Sequence, residues 1–174
     1  MNVESWLSRK CIRKYRFDHR NNLKQCHHCT SLVHIEDSGS FFDAPVDKIW
    51  KLSEAHGTDL TKIHPEMKNV QGEKLSENSN AFSYESDMNG QTIRSKIKIT
   101  TYYPLGMAFE MLEGPLAGSK FFNYYIPSGN RTGVTVVGEF KSPNMNDDMI
   151  RQVVKSFFDH GFDEDVAYLK TMNP

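Results

Sequence analysis

AFSYESDMNGQTIRSKIKITTYY, residues 81–103, decides the fold. At its centre stands Asn89-Gly90, a pair that tolerates the positive φ of a type I′ turn and joins two antiparallel strands with no further residues. After the turn the side chains alternate. Ile93, Ser95, Ile97, Ile99 and Thr101 share one face, and Arg94, Lys96, Lys98, Thr100 and Tyr102 the other. A period of two with charge on one side describes a strand with one face buried and one in water. The same period continues in GMAFEMLEG (106–114), GSKFFNYYIP (118–127) and TGVTVVGEFK (132–141), each bounded by Gly, Pro, Ser or Asn. With VQGEK (70–74) the count is six strands. The register of FFNYY stays open between Phe121/Asn123/Tyr125 and Phe122/Tyr124/Ile126 facing inward.

Outside this meander the period changes. SLVHIEDSGSFF (31–42) reads as a further strand, and DAPVDKIWKLSEAHG (43–57) as a short amphipathic helix with Pro45 in its first turn and Val46, Ile49, Trp50 and Leu52 on one side. A second short helix follows in TDLTKIHPEM, with Thr58 as its expected N-cap and an end forced before Pro65. The last element opens near Asn144 or Asn146 and runs toward residue 172. Its apolar stripe comprises Met149, Ile150, Val153, Val154, Phe157, Phe158, Phe162, Val166 and Leu169, and only burial stabilises a stripe of that length. Gly161 interrupts the stripe, which suggests a close approach or a bend.

A chain of 174 residues is long enough for one ordinary domain. No apolar run approaches the ~20 residues that span a bilayer, and residues 3–20 are basic but lack a secretory apolar region, so the expected location is cytoplasmic. Charge is unevenly distributed. Residues 1–30 carry seven Lys or Arg against Glu4 and Asp18, whereas the rest is net acidic by six. The arm is expected to be a solvated extension, with nucleic acid an unlikely partner. All three cysteines, Cys11, Cys26 and Cys29, lie in this arm. Cys26-x-x-Cys29 has the spacing of half a zinc site, with Cys11 and nearby histidines as the remaining candidates. Half a motif does not favour a metal, so no cofactor is expected, and zinc here would staple the arm rather than perform chemistry.

The order strand, two short helices, meander and long C-terminal helix resembles the START-like (SRPBCC) helix-grip superfamily, which includes polyketide cyclase/dehydrase, lipid-transport and coenzyme-Q-binding proteins. The resemblance covers residues 31–172 and rests on that order together with APVDKIWKL, IHPEM and EGPLAGSKFFNYYIP followed by a valine-rich strand. It implies an α+β fold in which a curved antiparallel sheet of six to seven strands wraps the last helix, giving a basic extension (1–30) and a START-like ligand-binding domain (31–174). It also implies an apolar cavity between sheet and helix. The inward alternation would line it with Phe82, Tyr84, Ile97, Phe109, Met111 and Val136, together with Ile93, Ile99, Val134 and Phe140. The helix would add Val154, Phe158 and Phe162, unless these side chains fill the space themselves. Met88, Met107, Met111 and Met149 would make such a pocket adaptable.

Three functions remain open at this point. The first is binding or transport of a hydrophobic small molecule, whether lipid, isoprenoid quinone or polyketide-like. The second is a cyclase/dehydrase-type enzyme using His64, Tyr84 or Glu113, with Ser95, Asn123 and Tyr125 as further polar groups. The third is a protein-interaction module with a filled interior. No nucleophile elbow, phosphate loop or paired-carboxylate motif is present.

Overall fold

The computed structural model describes residues 32–172 apart from Asn89, with Met88 described through its backbone alone. The basic arm and its three cysteines lie outside the described residues, as do the zinc-site candidates among them. Nine elements follow in the order β1 (Val33–Phe42), α1 (Val46–Ile63), β2 (Lys68–Ser76), β3 (Ser79–Met88), β4 (Gln91–Tyr102), β5 (Gly106–Glu113), β6 (Lys120–Ser128), β7 (Arg131–Phe140) and α2 (Asp147–Thr171). The strands form one antiparallel sheet in the order β1-β7-β6-β5-β4-β3-β2. Every neighbour is also a sequence neighbour except β1, which pairs with β7 after the chain has run the full meander. Extra residues in β1 and β5 bend the ribbon around α2, one of them at Gly39, where φ is +98°.

The hairpin forms as its sequence requires. Met88 pairs with Gln91, and Gly90 takes φ +77° in the two-residue turn. Asn146 caps α2, its Oδ1 accepting from the Met149 N–H at 2.9 Å, while Asp147 and Asp148 complement the positive helix end. The core lies where α2 meets the sheet. Ile150 and Val154 are fully buried, Phe140 is buried beneath them, and Phe121 and Phe158 meet edge to face at 5.1 Å. A close approach of backbones occurs at Gly138, where a Cβ would stand 2.4 Å from that of Phe121.

Two expectations need correction. The two short helices form, joined end to end in α1 across Asp59, whose φ of −119° and ψ of 21° leave the helical region, and the corrections concern Thr58 and Gly161. Thr58 does not cap a second helix; its hydroxyl donates back to the Ala55 carbonyl. Gly161 marks neither a bend nor a close approach, since α2 runs through it and a Cβ there would meet nothing within 4 Å. Among the described residues no helix is long and apolar enough to cross a membrane.

On the outer face Glu110 accepts from Lys98 at 2.8 Å and Lys120 at 2.7 Å, and these hydrogen bonds hold its carboxyl down at about 2. A carboxyl depressed by folding stabilises above its unfolded value, near 4.3, and loses that contribution as the pH falls toward 2. Solvent screening at this partly exposed site reduces the effect to about 1 kcal/mol. Denaturant titrations between pH 6 and 2 are therefore expected to show Glu110→Gln less stable than the parent at pH 6, with the gap narrowing steadily below about pH 4. A constant gap across that range contradicts the assignment.

Candidate functional site

Between the concave face of the sheet and the helices lies a cavity of about 1410 Å³. The alternation explains its wall, because strands facing one helix must turn every second side chain toward it. From β3, β4 and β5 come Phe82, Tyr84, Ile97, Phe109 and Met111; from β7 comes Val136; from α2 come Phe158 and Phe162. The ambiguous register of β6 resolves to Phe121, Asn123 and Tyr125 inward. Surface residues such as Glu54 and His160 complete the rim, so the space reaches solvent.

One end of the cavity is polar, at the junction of α1 and α2. His64 caps α1 through its backbone, the N–H donating to the Leu60 carbonyl, which fixes the ring against α2. There His64 Nδ1 stands 2.7 Å from Glu164 Oε2, and its Nε2 stands 3.1 Å from His56 Nε2. His56 Nδ1 bonds the Leu52 carbonyl at 2.8 Å, and Asp165 Oδ1 lies 3.1 Å from His56 Nε2, off the line of a hydrogen bond. Burial of the His56 ring opposes its protonation, but the Asp165 carboxylate and the Leu52 carbonyl outweigh it, so its pKa is raised. Burial, with the charge of Asp165 beside it, pushes the Tyr125 hydroxyl far up. Burial also raises Tyr84.

Two further polar atoms, Trp50 Nε1 and Asn123 Oδ1, are buried without a hydrogen-bond partner, and both residues line the cavity. Both atoms are buried within the packed wall, where leaving such a group unpaired costs about 1–3 kcal/mol. Among the described residues two groups bring metal-ligand atoms within 4.8 Å of one another: His56, His64 and Asp165, and, nearer the rim, Glu66, His160 and Glu164.

No protein-family model matches the sequence, and no curated protein does. Solved structures do match. Ara h 8.0201 superposes with a TM-score of 0.68 at 16% identity over 82% of this chain and 100% of that one. The Zhui aromatase/cyclase from Streptomyces sp. R1128 gives 0.62 at 14% identity, over 80% and 92%. Norcoclaurine synthase from Thalictrum flavum, in complex with dopamine and hydroxybenzaldehyde, gives 0.65 at 11%, over 83% and 90%. The fold is the START-like helix-grip fold.

Within the helix-grip frame most residues singled out in the sequence come together around one space, and some do not. Val154 is fully buried in packed core and takes no part in the wall; its neighbour Val153 does. Phe140 likewise packs behind the wall. Met107 and Met111 line the cavity, whereas Met149 is exposed on the first turn of α2. Glu113 is exposed and outside the cavity, for a geometric reason. Ile97 pairs with Met111 but Lys96 pairs with Glu113, so Leu112 is an extra residue that flips Glu113 onto the outward face of Lys96. Sequence reading passed over His56, Glu164 and Asp165. The signal for Asp165 was present, because it follows Gly161 by four and Phe162 by three, a carboxylate on the inward stripe of a helix.

Proposed function

We propose that the chain binds a mostly apolar small molecule, of the lipid, isoprenoid quinone or polyketide type, in the cavity between sheet and α2. The observation that carries this reading is a cavity of about 1410 Å³ walled mostly by aromatic and aliphatic side chains, with a few polar residues, Tyr84, Ser95, His56 and His64 among them, on its lining. Apolar surface holds the body of a ligand, and a few fixed polar atoms orient it. An interaction module with a filled interior has little support from such a space.

The enzyme reading keeps a specific observation in its favour: His56, His64, Glu164 and Asp165 converge at one end of that cavity. Imidazoles paired with carboxylates can accept and return a proton near neutral pH, which is the chemistry a cyclase-type reaction asks for. Similar folds include proteins described as aromatase/cyclases and a norcoclaurine synthase. Binding comes first in either case.

Native mass spectrometry of the protein isolated from its own host is expected to show a small organic molecule that denaturation releases. A protein that carries no such molecule and leaves the fluorescence of an apolar probe unchanged overturns the proposal.

A further inference from the structure

Three ligand-type atoms converge where α1 ends against α2: His56 Nε2, His64 Nε2 and Asp165 Oδ1. They stand 3.1 Å apart between the two rings, 3.1 Å from His56 to Asp165 and 3.8 Å from His64 to Asp165. Nitrogen and oxygen donors bound at about 2.0–2.1 Å to one ion, at angles between octahedral and tetrahedral, are about 2.9–3.4 Å apart. Two separations already match, and the third closes with a small movement of Asp165.

Local structure makes this meeting possible. Eight residues of unbroken helix would set the two histidines about 12 Å apart along the axis. The interruption at Asp59 and the non-helical cap at His64 fold the end of α1 back, and the rings meet.

The remaining ring nitrogens decide which atoms are free. His56 Nδ1 faces the Leu52 carbonyl and His64 Nδ1 faces the Glu164 carboxylate, both acceptors, so each Nδ1 donates its hydrogen. With Nδ1 carrying its hydrogen, each ring turns its Nε2 toward the other and toward Asp165 Oδ1, which is buried and has no hydrogen-bond partner. A shared proton can join two of these three atoms; a cation can join all three. Carbonyl or carboxylate support behind each imidazole is the arrangement that orients metal-bound histidines. The rim cluster differs, because His160 Nε2 donates directly to Glu66 at 2.7 Å and its atoms need no ion between them.

We infer that the chain binds one divalent transition-metal ion, of the zinc or ferrous type, through His56 Nε2, His64 Nε2 and Asp165 Oδ1. Two imidazoles and one carboxylate favour these ions over magnesium or calcium, and three protein ligands leave coordination positions open. All three residues line the cavity, so the open positions face whatever occupies it. The inference goes beyond apolar ligand binding and does not depend on it, since the ion needs no organic molecule in place.

The test is titration of the chelator-treated full chain with cobalt(II), followed by visible absorption, and with zinc by calorimetry, with magnesium as the control. One equivalent of cobalt is expected to give d–d bands without thiolate charge transfer. In variants shown by circular dichroism to be folded, Asp165→Asn and His56→Gln are each expected to abolish this uptake. Glu164→Gln, which removes a supporting carboxylate, is expected to weaken it about 10–100-fold. Cys26→Ser is expected to leave it intact. The inference is overturned if the full chain takes up no metal, if folded Asp165→Asn and His56→Gln still bind, or if uptake disappears with Cys26→Ser or His160→Gln instead. Probe fluorescence measured on the same samples reports apolar binding separately, so failure of one proposal is not failure of the other.

Discussion

Replacing Phe140 with alanine is expected to lower the free energy of unfolding by about 3–5 kcal/mol, the range for removing a buried aromatic ring without collapse of the space it leaves. Phe140 is 1% exposed, offset-stacked with Phe121 at 5.7 Å and edge-on to Phe158 at 5.9 Å. It joins β7, β6 and α2 behind the cavity wall, where the surrounding strands are fixed by their ladders and cannot close inward. A domain of this size has about 5–15 kcal/mol in total, so the variant should unfold at markedly lower denaturant concentration with an unchanged slope. A loss below about 1 kcal/mol would mean that sheet and helix do not share this core.

The second large effect separates an open interior from a packed one. Gly161 lines the cavity, and a Cβ built there meets nothing within 4 Å, whereas Val154, two turns earlier on the same helix, is fully buried. Gly161→Trp is therefore expected to weaken binding of an anilinonaphthalene sulfonate probe about tenfold, or about 1.4 kcal/mol. Stability should hold or rise by up to about 0.5 kcal/mol, because any side chain relieves the helix of a glycine. Val154→Trp has no such room and should cost about 1–3 kcal/mol or more. Equal destabilisation by both substitutions would mean that the interior is filled.

Periodicity carried most of the fold in plain view. Ile93 to Thr101 could face inward in only one way once Arg94, Lys96 and Lys98 had to face water, and Asn89-Gly90 fixed where that strand turned. Two features were hidden because they depend on tertiary pairing. The extra residue at Leu112, which turns Glu113 outward, shows only when β5 is set beside β4. Val153 and Val154 both belong to the apolar stripe of α2, and which one faces the cavity depends on a helix rotation that a stripe this wide does not specify. The break inside α1, by contrast, was legible to within one residue, since the second short helix was read from Thr58 and the non-helical residue is Asp59, whose carboxylate accepts from Lys62 and from the Tyr168 hydroxyl on α2.

The site was legible in part for the same reason. Tyr84 follows from strand alternation and His64 from its place before Pro65, so both were found. His56 lies in the first short helix with no signal of its own, and only the fold brings it within 3.1 Å of His64 and of Asp165.

The most direct measurement of the central claim is methyl NMR of the full chain titrated with the anilinonaphthalene sulfonate probe. Occupation of the cavity predicts intermolecular contacts and saturable shifts at the methyls of Ile97, Ile99, Met111 and Val136, which line it, with the exposed methyls of Leu75 and Ile126 unmoved. Shifts confined to those exposed side chains, or no shifts at all, would contradict it.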